Sequence, residues 1–255
     1  MKLKTRNDQI RFGTNILDLT VPKELRNKHK SGLEYIDAAL GGEGFTPSAV
    51  TLFTGTPGSG KTTMMLKLAD SLTKSGAVVL FNTAEESLFQ VKLIAERLGL
   101  RHGFIAGQEH HVPTLIENCD KLRKKRGNKN KPFFLIVDSL QCLDDGKYQR
   151  KDGSTHINRA SAERSLMELT NYCKENYCNA IIIGQVNKSG QMAGTNKLKH
   201  MVDAMMELSV EEKDPDLHGC RVLQTTKNRF GGCGHTFFLS LKKTGFKEVA
   251  RVSAA

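Results

Sequence analysis

Residues 55–63 read G-T-P-G-S-G-K-T-T, a complete G-x-x-x-x-G-K-[ST] loop between an apolar run, Ala49 to Phe53, and a helix-period stretch, Met64 to Leu72. A strand leading into such a loop and a helix leading out of it confine the chain to an α/β architecture built around a phosphate-binding turn. Glycines at 55, 58 and 60 let the backbone turn tightly and aim N–H groups at phosphate oxygens, and the helix adds its positive N-terminus. Gly55, Thr56, Pro57, Gly58, Ser59, Gly60, Lys61, Thr62 and Thr63 are therefore the expected cradle for a nucleoside triphosphate. Lys61 is expected to reach the β- and γ-phosphates and to act in catalysis, and the Thr62 hydroxyl to bind Mg²⁺.

The rest of the chain carries the alternation such a loop demands. Strand-like runs fall at 50–54, 78–82, 133–138, 180–185, 204–209, 221–226 and 236–241, with helical patterns at 61–72, 87–98, 114–126 and 159–177 between the first four. Strand, helix, strand in succession implies right-handed crossovers and a parallel sheet covered on both faces. Short polar turns join the last strands, which are expected to be antiparallel.

A bound triphosphate needs a metal anchor, and Phe133-Phe134-Leu135-Ile136-Val137-Asp138 supplies the form of one: a buried strand ending in a carboxylate. Asp138 is expected to join Thr62 in holding Mg²⁺ at the carboxyl edge of the sheet, where ligands of open α/β sheets collect. Hydrolysis also needs a group that orients or deprotonates water. Ala84-Glu85-Glu86-Ser87 follows the second strand, and Glu85, nearer the strand end, is the candidate general base. Glu86 is expected in the first turn of the next helix, where negative charge is favourable.

Composition narrows the partners. With 38 Lys and Arg against 27 Asp and Glu, the formal charge is +11 and the pI near 9.4, a balance that favours polyanions. No run of about 18 apolar residues exists, and the first ten residues lack the apolar core of a secretory signal, so the expectation is a cytoplasmic protein with no membrane partner. Six cysteines without a C-x-x-C pair read as reduced core residues rather than as a zinc site. Residues 1–29 read as a basic arm and 30–255 as one ATPase domain.

Further segments resemble the RadA/Sms family of RecA-like P-loop ATPases. Ser31-Gly32-Leu33-Glu34-Tyr35-Ile36-Asp37 and Leu40-Gly41-Gly42 stand ahead of the phosphate loop; Ala84 to Ser87, Gln90 to Leu93 and Ala95 to Leu100 follow it. Ala193-Gly194, Leu198 to Asp203 and above all Lys227-Asn228-Arg229-Phe230-Gly231 tighten the match, which spans about residues 30 to 250. Neither a four-cysteine zinc finger nor a Lon-protease-like C-terminal domain lies within the chain, so the expectation is a minimal form.

What the resemblance implies is a RecA-like core with a mostly parallel sheet and antiparallel C-terminal strands. It also implies homo-oligomers, either rings such as hexamers or filaments, that use ATP on single-stranded or branched DNA in recombination and repair, with branch-migration or helicase activity. A recombinase or replisome protein is the implied protein partner. Lys227 and Arg229 would act on the nucleotide of a neighbouring subunit. By analogy with RecA-like cores, DNA would meet two loops. The first, 144–158, carries Lys147, Tyr148, Arg150 and Lys151, with Arg159 just beyond; the second, 186–199, carries Lys188, Lys197 and Lys199. Gln185, at the strand end before the second loop, is the candidate γ-phosphate sensor. Two other readings share the phosphate loop: a DnaB-type replicative helicase core, and a KaiC-like module in which nucleotide controls assembly. The cationic run Lys121 to Lys131 ends a helix and reads as a solvated face rather than a DNA path.

Overall fold

The computed structural model describes residues 12–147, 159–186, 195–233 and 235–253, and of Arg159, Thr195 and Asn196 the backbone alone. In chain order the main elements are α1 (Glu34–Ala39), β1 (Val50–Gly55), α2 (Lys61–Lys74), β2 (Val78–Thr83), α3 (Leu88–Arg97), β3 (Ile105–Gly107), α4 (Val112–Lys124) and β4 (Phe133–Asp138). They continue with α5 (Arg159–Asn176), β5 (Asn179–Gln185), α6 (Thr195–Met201), β6 (Ala204–Val210), β7 (Arg221–Asn228), β8 (His235–Lys242) and β9 (Gly245–Ser253).

The nine strands among the described residues form one sheet in the order β3-β2-β4-β5-β1-β6-β7-β8-β9. The six strands from β3 to β6 run parallel, and β7, β8 and β9 add antiparallel pairs. The central strands are apolar without alternation because both faces are covered. Phe53, Ile136 and Ile183 pack with α2, while their neighbours Leu52, Leu135 and Ile182 pack on the opposite face with α4 and α5.

The sequence patterns find seven of the strands within two residues and miss two. β3 is three residues long and only partly buried, and β9 buries Gly245 alone, so neither carries a strong apolar signature. A further difference lies in the segment expected as a second DNA loop: residues 195–201 form α6, which buries Leu198 and Met201 against the sheet. Glu86 also departs from expectation. Ser87 caps α3 in a capping box with Gln90, so Glu86 precedes the helix. Cys119, Cys173 and Cys178 are buried in the core, Cys142 and Cys220 are partly exposed, and Cys233 is exposed. No metal-binding group of three or more His, Cys, Asp or Glu occurs among the described residues, and no described helix is long and apolar enough to cross a membrane.

One buried carboxylate holds the amino-terminal edge of the sheet. Asp203 accepts the Val50 N–H at 3.0 Å, the Lys174 ammonium at 2.6 Å and the Arg229 guanidinium at 3.2 Å. Removing it leaves a buried N–H and two cations without their shared acceptor. Asp203→Ala is expected to destabilise the fold by about 2–4 kcal/mol, read as a lower urea midpoint at unchanged slope.

Candidate nucleotide site

The phosphate loop leaves β1 where no side chain would fit. A Cβ on Gly55 would lie 2.2 Å from the Leu208 carbonyl oxygen of β6, so the loop departs pressed against the neighbouring strand. Gly60 sits at φ 101°, and a Cβ there would meet the Phe246 ring at 2.9 Å. The β8–β9 hairpin thus backs the turn from which α2 starts. From β7, the Arg221 guanidinium donates to the Ser59 carbonyl at 3.3 Å. Lys61 folds over the loop and donates to the carbonyls of Gly55 and Thr56, each at 2.8 Å. Burial lowers the pKa of its ammonium, and the carboxylates of Asp138 and Glu85 oppose that shift. The buried Ser59 hydroxyl has no partner among the described residues.

Beside the cradle the Thr62 hydroxyl donates to Asp138 at 2.6 Å. This joins the first turn of α2 to the end of β4 through two hard oxygens, a donor set suited to Mg²⁺. Asp138 is 7 % exposed, and burial raises its pKa to about 6, with the Thr62 bond and Lys61 working against the rise and Glu85 and Glu86 adding to it. One oxygen of Glu86 is buried nearby without a partner among the described residues. The Thr62 hydroxyl and the Asp138 carboxylate, with the partnerless Glu86 oxygen near them, are the oxygen donors that fit a divalent cation here.

Glu85 stands next to this pair, two residues past the end of β2. Its Oε1 atom receives the Ser139 hydroxyl in a short contact, the Gln185 side-chain amide at 2.5 Å and the Cys142 thiol at 3.6 Å. Three donors on one oxygen fix the carboxylate and leave Oε2 without a partner among the described residues. Gln185 is itself tied back: its backbone N–H reaches the Gln141 side-chain carbonyl at 3.3 Å. The candidate base and the candidate phosphate sensor, 100 positions apart in sequence, are therefore in direct contact. Ser139, Gln141 and Cys142 are positioning residues that pattern reading misses. The Asp138-Ser139 step is visible in the sequence, but no spacing rule links Ser139 to Glu85.

Lys227 and Arg229 lie elsewhere. Lys227 donates to the carbonyls of Lys199 and Val202 at 2.6 and 2.7 Å, and Arg229 pairs with Asp203. Because Asn228 is level with Ala204, at the start of β6, both cations sit at the sheet edge opposite the phosphate loop. One strand length, about 16 Å, separates them from the cradle of their own chain. Burial and Arg229 lower the Lys227 pKa, against the pull of Asp203. Asn228 of the same motif clamps the Leu40 and Gly232 carbonyls at 3.2 and 3.3 Å.

Of the expected DNA contacts, Tyr148, Arg150, Lys151, Lys188 and the Arg159 side chain lie outside the described residues. Lys147 pairs with Glu168 at 2.8 Å, and Lys197, on α6 rather than a loop, pairs with Glu163 at 2.6 Å. Lys199 is exposed on the same helix.

These features agree with comparisons to known proteins. A family model described as "ATPase: KaiC" matches residues 29–106. The DNA repair protein RadA of Aquifex aeolicus is 31 % identical over 233 residues, 91 % of this chain and 48 % of that protein. RadA of Streptococcus pneumoniae is 32 % identical over 89 % of this chain and 50 % of its own length. The chain spans about half the length of the curated relatives it matches. Among solved structures, one described as an ATPase domain superposes with a TM-score of 0.72 at 16 % identity, covering 88 % of this chain and 92 % of that one. A DnaB-like replicative helicase gives 0.70 at 16 % identity, over 86 % of this chain and 61 % of that one. The last two establish the fold.

The buried Asp138 carboxyl yields a test of opposed effects. Its pKa rises from an ordinary value of 3.8 to about 6, so folding disfavours the ionised form. The contribution of Asp138 to stability is therefore greatest at low pH and is lost as pH rises from about 4 through about 6. At pH 7 the metal-free protein with Asp138→Asn is expected to be about 1–3 kcal/mol more stable in urea. Nucleotide hydrolysis should fall about a hundredfold or more in the same variant. A loss of stability would contradict the burial argument.

Proposed function

We propose that the chain, which is similar to RadA over about nine-tenths of its length, is a DNA-dependent ATPase of that type acting in homologous recombination and repair, with branch-migration or helicase activity. ATP sits on the loop N–H groups of residues 55–63, with Lys61 at its terminal phosphates. Thr62 and Asp138 would hold Mg²⁺, which would supply charge neutralisation at the phosphates. Glu85, steadied by Ser139 and Gln185, takes the proton from the attacking water. Gln185, in contact with Glu85, ends β5 at the start of the 186–199 segment expected to meet DNA, so it is the residue through which the nucleotide state would reach that segment. In this reading residues 30–255 are the ATPase domain, residues 1–29 an arm, and the protein works in the cytoplasm.

The observation that carries the reading is the location of Lys227 and Arg229. Cations one strand length from their own cradle serve hydrolysis only from a second copy, so the reading requires a homo-oligomeric ring or filament. Supplied in trans, such cations accelerate phosphoryl transfer by about 10³ to 10⁵. The net charge of +11 and the RadA likeness support DNA as the polymer partner. A KaiC-like assembly module is the second reading, favoured by the ion pairs that already engage Lys147 and Lys197.

Steady-state ATP hydrolysis with and without single-stranded DNA separates the two. DNA stimulation that fades with added salt is expected, because phosphate contacts release counterions; hydrolysis indifferent to DNA would favour the assembly module. Lys61→Ala should cut turnover by about a hundredfold or more and weaken nucleotide binding in a folded protein, checked by circular dichroism and nucleotide titration. Arg229→Ala should keep nucleotide binding and lose assembly-dependent hydrolysis by about 10³-fold. Loss of nucleotide binding in the Arg229→Ala monomer would contradict action in trans.

A further inference from the structure

The cationic run that reads as a solvated face in sequence has a more defined setting in the fold. Between Lys121 and Lys131 lie seven Lys and Arg and no acid. Arg123 is committed to structure: it bonds Asp120, the Tyr172 hydroxyl and the Asn176 carbonyl. Lys124 also pairs with Asp120. Lys121, Lys125, Arg126, Lys129 and Lys131 are exposed, and none of their side chains has a partner among the described residues. The turn that presents them is built rather than loose. Asn128 N–H donates to the Lys125 carbonyl at 2.9 Å, and the Asn128 side chain reaches the Leu122 carbonyl at 2.8 Å.

Beside this turn is a cleft of 570 Å³ at the amino-terminal ends of β4 and β5, on the edge opposite the phosphate loop. Lys124, Lys129, Lys131, Asn130 and Tyr177 line it, and one acid, Glu24, also faces it. Two of the three non-glycine residues at positive φ among the described residues meet in this cleft: Asn130 at 73° and Tyr177 at 52°. Tyr177 follows the end of α5, where glycine adopts the left-handed conformation without cost. A tyrosine held there brings an aromatic ring to a cationic groove at the expense of local strain.

A groove that combines unpaired cations with an aromatic ring suits a single nucleic-acid strand, whose phosphates follow the cations and whose bases stack. We propose that this cleft is a second seat for single-stranded nucleic acid, separate from the loops near Gln185. Lys129 and Lys131 in the cleft, with Lys125 and Arg126 on the adjoining turn, hold the phosphodiester backbone, and Tyr177 stacks on a base. The inference rests on the DNA-dependent reading above and adds to it a strand path on the far edge of the sheet.

The test uses the full chain and a fluorescein-labelled oligothymidylate, with binding followed by anisotropy across a salt series. Replacing Lys125, Arg126, Lys129 and Lys131 together by Gln should reduce the salt slope of log affinity by about 3, at roughly 0.7 per phosphate contact. Tyr177→Gly, which keeps the backbone relaxed, should weaken binding about tenfold with the slope unchanged. Hydrolysis without DNA should match the parent in both variants. Parental affinity and slope in both variants, with DNA-stimulated hydrolysis intact, would overturn the second seat alone. A parent protein that neither binds the oligonucleotide nor responds to it would overturn the DNA-dependent reading as well. Parental oligonucleotide binding with lost binding to anionic phospholipid vesicles would assign the patch to a membrane surface instead.

Discussion

Parallel register is the constraint on which the site depends. Gly55 pairs level with Gln185 across β1 and β5, and Thr83 with Asp138 across β2 and β4. Strands that finish together deliver their next residues to one edge. The phosphate loop, Glu85, Asp138 and Gln185 come from four strands spread over 130 positions, yet they form a continuous set of contacts. A slip of one residue in any pairing would turn each side chain to the other face of the sheet and also dissolve the core, because those strands are buried on both sides. Stability and chemistry therefore constrain the same register.

The opposite edge carries a different kind of order. There Asp203 gathers Val50, Lys174 and Arg229, while Asn228 clasps the turn at Leu40. Two of the segments on which the RadA resemblance rests, Leu40 to Gly42 and Lys227 to Gly231, meet at this edge. A Cβ on Gly231 would lie 2.9 Å from the Leu40 carbonyl, and one on Gly41 2.9 Å from the Gly232 nitrogen. Part of the K-N-R-F-G pattern is thus explained by close backbone approach. The two cations of the pattern are held at the same edge by the Lys199 and Val202 carbonyls and by Asp203, and the Arg229 side chain is half exposed there.

Much of this is legible in the sequence, for physical reasons that differ from place to place. The phosphate loop is legible because its chemistry needs glycine, lysine and a hydroxyl at fixed offsets. Asp138 is legible because a strand buried on both faces is unbroken apolar chain up to its polar end. Glu85 follows from the same edge rule. The contacts around it are not legible: Ser139, Cys142 and Gln185 reach Glu85 only through strand order, and β4 separates β2 from β5. α6 is hidden because seven residues give too few turns for a period to show, and β9 because an edge strand buries too little. The basic run is a converse case. Its composition is plain, but the cleft and the left-handed Tyr177 emerge only when α4, α5 and the turn at 125–131 are brought together.

The central claim is that the hydrolytic site is completed between copies of the chain. Mixing folded Lys61→Ala protein with folded Arg229→Ala protein tests it directly, since each retains what the other lacks. If the cations act in trans, the mixture regains ATP hydrolysis that neither protein shows alone, at interfaces pairing an intact phosphate loop with an intact Arg229. If each site is self-contained, the mixture stays at the sum of its two inactive parts, and the account is wrong.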